Sequence, residues 1–150
     1  MQNTDFYRVF IGELEGWLES IEETIQSSEE QRAVAVKAFD KEAESVARGK
    51  IKECRGRAEL VSALRNSAAE ALNVRGMSFD QLIVVMEGSY LHLQGLWEEQ
   101  GIRQEAAFRE ALLGGNRATY ERETDELNAA QGRFDEIRRW LNRARALAES

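Results

Sequence analysis

Proline is missing from all 150 positions. No ring fixes φ or removes a backbone donor anywhere, so nothing in the chain breaks a helix by that route. Cysteine and histidine occur once each, as Cys54 and His92. A lone cysteine forms no internal disulfide and a lone histidine does not support a His-rich zinc site, which excludes disulfide scaffolds and zinc fingers. No metal and no other cofactor is expected. Long hydrophobic runs are also absent: no stretch approaches the ~18–20 uncharged apolar residues of a membrane-spanning helix. The opening MQNTDFYRVFIGELEGW lacks the basic-then-apolar form of a signal peptide. A cytoplasmic protein without membrane insertion is the expectation. Basic residues are in the minority, 20 against 27 acids for a net charge of −7, which argues against a nucleic-acid partner.

What is there is helical periodicity. The length suits one folding unit, residues 1–150, rather than two independent cores. Phe6, Phe10, Leu14, Trp17, Ile21 and Ile25 recur at spacings of three and four, which predicts an amphipathic helix over about 3–37. Asn3 or Thr4 is placed to cap it, with Asp5 in its first turn. The polar run Ser27–Gln31 contains neither Gly nor Pro, so this helix is expected to cross it. Asp40 is placed to cap a second helix over about 41–74, whose seam of Ala43, Ala47, Lys50, Cys54, Val61, Leu64, Ala68 and Ala71 is small and weakly apolar in its first half. Gly49 and Gly56 flank that half, and each either marks local flexibility or leaves room for a neighbouring backbone.

Gly76 is positioned as a helix terminator, and Ser78-Phe79-Asp80-Gln81 forms a capping box. A short helix over 79–86 containing Leu82–Met86 follows, then a helix over 89–113. Gly114-Gly115 either ends that helix, with Asn116 capping the next, or bends one continuous helix. Over 117–148, Tyr120, Glu123, Leu127, Ala130, Phe134, Ile137, Leu141, Ala144 and Ala148 make the cleanest heptad in the chain. The fold expected is all-α: an elongated antiparallel helical bundle or coiled coil of three long helices plus a short connecting helix. Residues 1–30 carry eight acids and one base, and residues 31–66 nine bases and five acids. An antiparallel pairing of the first two helices would therefore set opposite charges side by side.

Enzyme chemistry finds little to stand on. A carboxylate-bridged di-iron bundle needs Glu-x-x-His, and Ser89 occupies the position three before His92. No G-x-x-x-x-G-K-[ST] loop exists, and Gly114-Gly115 follows no strand. Cys54 and His92 lie in helical pattern with nothing to orient them as nucleophile and base. The acid clusters at Glu98-Glu99 and Glu121–Glu126 read as solvated faces. Binding is the expected activity, and the chain is not expected to be an enzyme.

Trp140 lies next to Leu141 and widens the apolar stripe of Phe134 and Ile137, so that this face can serve two neighbours: one of the chain's own helices and an amphipathic helix of a client. The order of a long first helix, a second reached through KAFDKEAESVARGKIKECRGRAELVSALRNSAAEAL, the VRGMSFDQLI segment and a long C-terminal helical region resembles the FlgN-type flagellar export chaperones. Lys50, Leu60, Leu64 and Leu72, the Ser78–Leu82 stretch, Leu93-x-x-Leu96-Trp97 and Asn116 carry the likeness across roughly residues 5–141. Where family members often show two Asn residues three apart, this chain has the single Asn116. The resemblance implies a cytoplasmic chaperone of type III flagellar secretion. It would bind the C-terminal helices of hook-filament junction (hook-associated) proteins in a helix-in-groove contact through its own C-terminal helix. Asn116, Tyr120, Leu127, Phe134, Ile137, Trp140 and Leu141 are the candidate partner-binding residues, on a monomer or homodimer. The alternative is a structural coiled-coil or adaptor subunit that self-associates through the same heptad.

Overall fold

Without proline, helix ends only where a capping side chain or a left-handed residue stops it, and three short connections do so here. The computed structural model describes residues 1–150 and comprises four helices and no strand: α1 (Asn3–Lys37), α2 (Lys41–Asn73), α3 (Phe79–Leu112) and α4 (Arg117–Glu149). Asp40 caps α2 by accepting from the Ala43 N–H at 3.1 Å. Ser78 and Gln81 form the reciprocal box at the start of α3, at 3.2 and 2.9 Å. Asn116 accepts from the N–H groups of Ala118 and Thr119 and starts α4. Each satisfies backbone donors that the first turn leaves free.

The expected cap of α1 is corrected. Gln2 precedes its first turn, with its own N–H donating to the Asp5 carboxylate at 3.3 Å. Asn3 instead reaches across the bundle: its Oδ1 accepts from the Phe79 N–H at 2.7 Å and its amide donates to the Met77 carbonyl at 3.2 Å. The Tyr7 hydroxyl donates to the carbonyls of Met77 and Ser78. The start of α1 therefore pins the α2–α3 connection.

A second correction concerns α3. The expected short helix over 79–86 and separate helix over 89–113 are one helix of 34 residues, giving four long helices rather than three with a short connector. Gly88 and Ser89 lower helix propensity without supplying a stop, and Met86, Tyr90, Leu93 and Trp97 continue one inward face through them. Gly114-Gly115, by contrast, is a turn and not a bend. Gly114 adopts φ 85°, and the Gly115 N–H donates to the Glu110 carbonyl at 2.8 Å. Helix α1 runs unbroken through Ser27–Gln31.

The helices pair as two hairpins. Glu29 meets Arg55 at 2.9 Å between α1 and α2; Trp97 stacks on Phe134, and Glu87 meets Arg145, between α3 and α4. The hairpins join along α2 and α4, which run side by side in the same direction, since Arg48 pairs with Asp125 and Arg57 with Asp135. Helices α1 and α3 lie on the outer sides and touch where Phe6, Tyr7 and Phe10 surround Phe79. One cluster of buried side chains draws on all four helices. The charge complementarity expected between α1 and α2 is mostly spent elsewhere: α2 directs Arg48 and Arg57 at acids of α4, and Arg143 of α4 bonds Glu13 of α1 at 2.9 Å.

Candidate functional site

Helix α4 is the element on which the other three converge, and two of its faces do different work. The face toward α2 is small. A Cβ added to Gly132 would lie 2.2 Å from the Glu53 carbonyl oxygen, and one added to Gly56 would lie 2.2 Å from that of Ala129. The two backbones therefore approach closer than any side chain permits. This resolves the small first half of the α2 seam in favour of close packing.

Beside that contact lies a buried carboxylate. Glu136 is fully buried. It accepts from the indole N–H of Trp17 at 2.9 Å, from that of Trp140 at 3.0 Å and from the Arg57 guanidinium at 2.9 Å. Arg57 also donates to Glu53 and Asp135. Burial opposes its charge, but the bonds to Glu53 and Glu136 outweigh that and hold the guanidinium above its ordinary value. The Arg139 guanidinium lies 4.4 Å from the centre of the Trp17 ring. One carboxylate thus ties α1, α2 and α4 together, and each of its bonds is to a charged or aromatic donor.

The face toward α1 and α3 carries the predicted residues. Phe134, Ile137, Trp140 and Leu141 are all buried within the chain's own core. The wide stripe does serve two neighbours, and both belong to this chain: Phe134 stacks on Trp97 of α3 at 5.1 Å, and Trp140 meets Phe10 of α1 edge-on at 5.8 Å. Leu127 and Tyr120 are half-buried, and Asn116 is exposed and serves as the α4 cap. Tyr120 lies apart from the other aromatics of the stripe, against Phe108 and in a polar cleft of ≈ 660 Å³ that also holds Arg48, Thr124, Asp125 and Asn128. In that cleft Arg48 is held above its ordinary value by its bond to Asp125. The structure therefore brings together Phe134, Ile137, Trp140 and Leu141 and separates them from Asn116 and Tyr120.

Glu136, Gly132 and Arg57 escaped the sequence reading. A signal was present: Gly132, Glu136 and Trp140 are spaced by four and bracket the apolar stripe, placing an acid on a face otherwise built for burial. Cys54 is buried and His92 exposed, and burial pushes the Cys54 thiol up. That opposes thiolate formation. No helix is long and apolar enough to cross a membrane. Comparison with protein-family models, with curated proteins and with solved structures finds no match to this chain.

Proposed function

We propose that the chain is a cytoplasmic chaperone of type III flagellar secretion, a bundle of two antiparallel helix pairs that binds the amphipathic C-terminal helices of hook-associated proteins before export. The observation that supports this reading is the way α1 meets the aromatic seam of α4: around a buried carboxylate rather than through an unbroken apolar contact. Helix α1 reaches that carboxylate through the Trp17 indole N–H, and a hydrogen bond that water can replace on separation contributes only modestly to net stability. Such a contact sets register while remaining exchangeable. A client helix with its own apolar stripe competes with α1 and α3 for Phe134, Ile137, Trp140 and Leu141. Leu127 and Tyr120 extend the contact toward Asn116. Burying the client's stripe prevents its premature self-association, and the net charge of −7 keeps the complex in solution.

The test is titration of the purified chain with synthetic peptides spanning the C-terminal helices of hook-associated proteins from its own source, followed by hydrogen exchange. Saturable binding is expected, with residues 127–148 staying protected while α1 loses protection. Absence of saturable binding, or binding that leaves α1 as protected as before, overturns the reading.

A further inference from the structure

The side of α3 that faces away from the bundle carries a second apolar stripe. Val84, Gly88, Leu91, Gly95 and Ile102 follow spacings of four, three, four and seven, and so share one helix face. The core residues Leu82, Met86, Leu93 and Trp97 occupy the opposite face. Val84, Leu91 and Ile102 are 66%, 67% and 70% exposed. A Cβ at Gly88 or at Gly95 would meet nothing within 4 Å. Large side chains therefore alternate with open notches at heptad spacing, the relief into which knobs of another helix fit. The surroundings of the stripe give the partner's charge. From Gly76 to Ile102 the chain has no Lys and no Arg, but it has Asp80, Glu87, Glu98 and Glu99. Asp80, Glu87 and Glu98 stand seven and eleven residues apart along one edge of the stripe. Glu87 is paired with Arg145, whereas Asp80 and Glu98 take part in no ion pair of the structure.

We infer that this face of α3 docks an amphipathic helix of another protein that carries Lys or Arg beside its apolar stripe. The charge of the face selects that occupant over a second copy of this chain. Two such faces laid together in parallel bring Glu98 close to Glu98 and Glu99 of the other copy, and in antiparallel order centred on Leu91–Gly95 they bring Glu87 against Glu98. Neither arrangement places a cation within the stripe. The surface lies on the opposite side of α3 from its contact with α4, so it stands independently of the chaperone reading.

The experiment uses the full chain and three synthetic helical peptides of equal length. One carries Leu at the heptad core positions and Lys at the flanking positions, the second keeps Leu with Glu flanks, and the third keeps Lys with Gln in place of Leu. Fluorescence anisotropy is expected to show the Leu–Lys peptide binding at least about tenfold tighter than either other peptide, and weakening as salt is raised. L91D adds an acid and disturbs no buried contact, so general attraction to Lys would strengthen; loss of binding is expected instead. G95Q fills a notch without changing charge and is expected to weaken binding. Binding of the Leu–Glu peptide as tight as the Leu–Lys one overturns the inference, as do retention of binding in L91D and failure of all three peptides. A wild-type dimer in sedimentation equilibrium that L91D dissociates also overturns it, by making a second copy the occupant.

Discussion

Gly56 of α2 faces Ala129 of α4 so closely that a methyl group on its Cα would lie 2.2 Å from the alanine carbonyl oxygen. That atom is backbone and has no flexible end to give way, so a side chain at Gly56 must push the two helices apart. Overpacking of this kind costs about 1–3 kcal/mol, against the gain of about 1 kcal/mol that Gly→Ala brings within a helix. The clash is expected to win: Gly56→Ala and Gly132→Ala should each lower Tm by several degrees. Gly12→Ala and Gly16→Ala meet open space and should raise it. Thermal unfolding followed by circular dichroism separates the two classes. Equal behaviour of all four would show that the seam does not need its glycines.

Replacing Glu136 tests the buried charge. Glu136→Ala leaves the indole N–H groups of Trp17 and Trp140 without their acceptor and removes one of three carboxylates from Arg57. Breaking a buried pair in this way costs about 3–5 kcal/mol. Glu136→Gln keeps one acceptor oxygen and the side-chain volume, and should cost about 1–3 kcal/mol. Urea midpoints for the two variants check the order, and a Gln variant less stable than the Ala variant contradicts it.

The Asn3 amide caps α3 from another helix, accepting from the Phe79 N–H at 2.7 Å. Its removal in Asn3→Ala should cost about 1 kcal/mol, as loss of a helix cap does. Hydrogen exchange should accelerate first at the start of α3, with the start of α2 unchanged. Acceleration confined to α1 would mean that the cross-helix bond carries no weight.

Burial raises the Cys54 thiol above its ordinary value, and only 3% of the residue is exposed. Below the ordinary thiol value of about 8.5 both native and unfolded chains hold the neutral form. Above it the unfolded chain ionises first, so this contribution to stability is lost as pH rises toward the raised native value. A disulfide reagent at pH 8 should react with the native chain at least about 100-fold more slowly than with the chain in denaturant. A fast native reaction would place the thiol at the surface.

Helix termini were legible because their chemistry is local. Asp40, Ser78 with Gln81, and Asn116 each cap the helix they precede using only neighbours in sequence. The start of α1 was not, because Asn3 spends its side chain on α3, 76 residues away. The break expected between 86 and 89 is absent, because the apolar face of α3 passes unbroken through Gly88 and Ser89. The stripe of Phe134, Ile137, Trp140 and Leu141 was legible as wide enough for two neighbours. Which neighbours was not, because periodicity marks a face for burial without naming what buries it. The same limit applied to Arg48 and Arg57: their charge was visible in the sequence, but their pairing with acids of α4 depends on how the hairpins dock.

The bonds that hold α2 against α4 join residues 74 to 79 positions apart, whereas the two hairpins close across connections of three and four residues. Contacts between near neighbours form quickly, and those that close long loops form slowly. The chain is thus expected to acquire its two helix pairs early and to bring them together late. The rate-limiting collision is then the one that seats Gly56 on Ala129 and Gly132 on Glu53 across the 74–78 connection. Under mechanical or chemical load the same order runs in reverse, and the first event is the parting of two intact pairs about the left-handed Gly76.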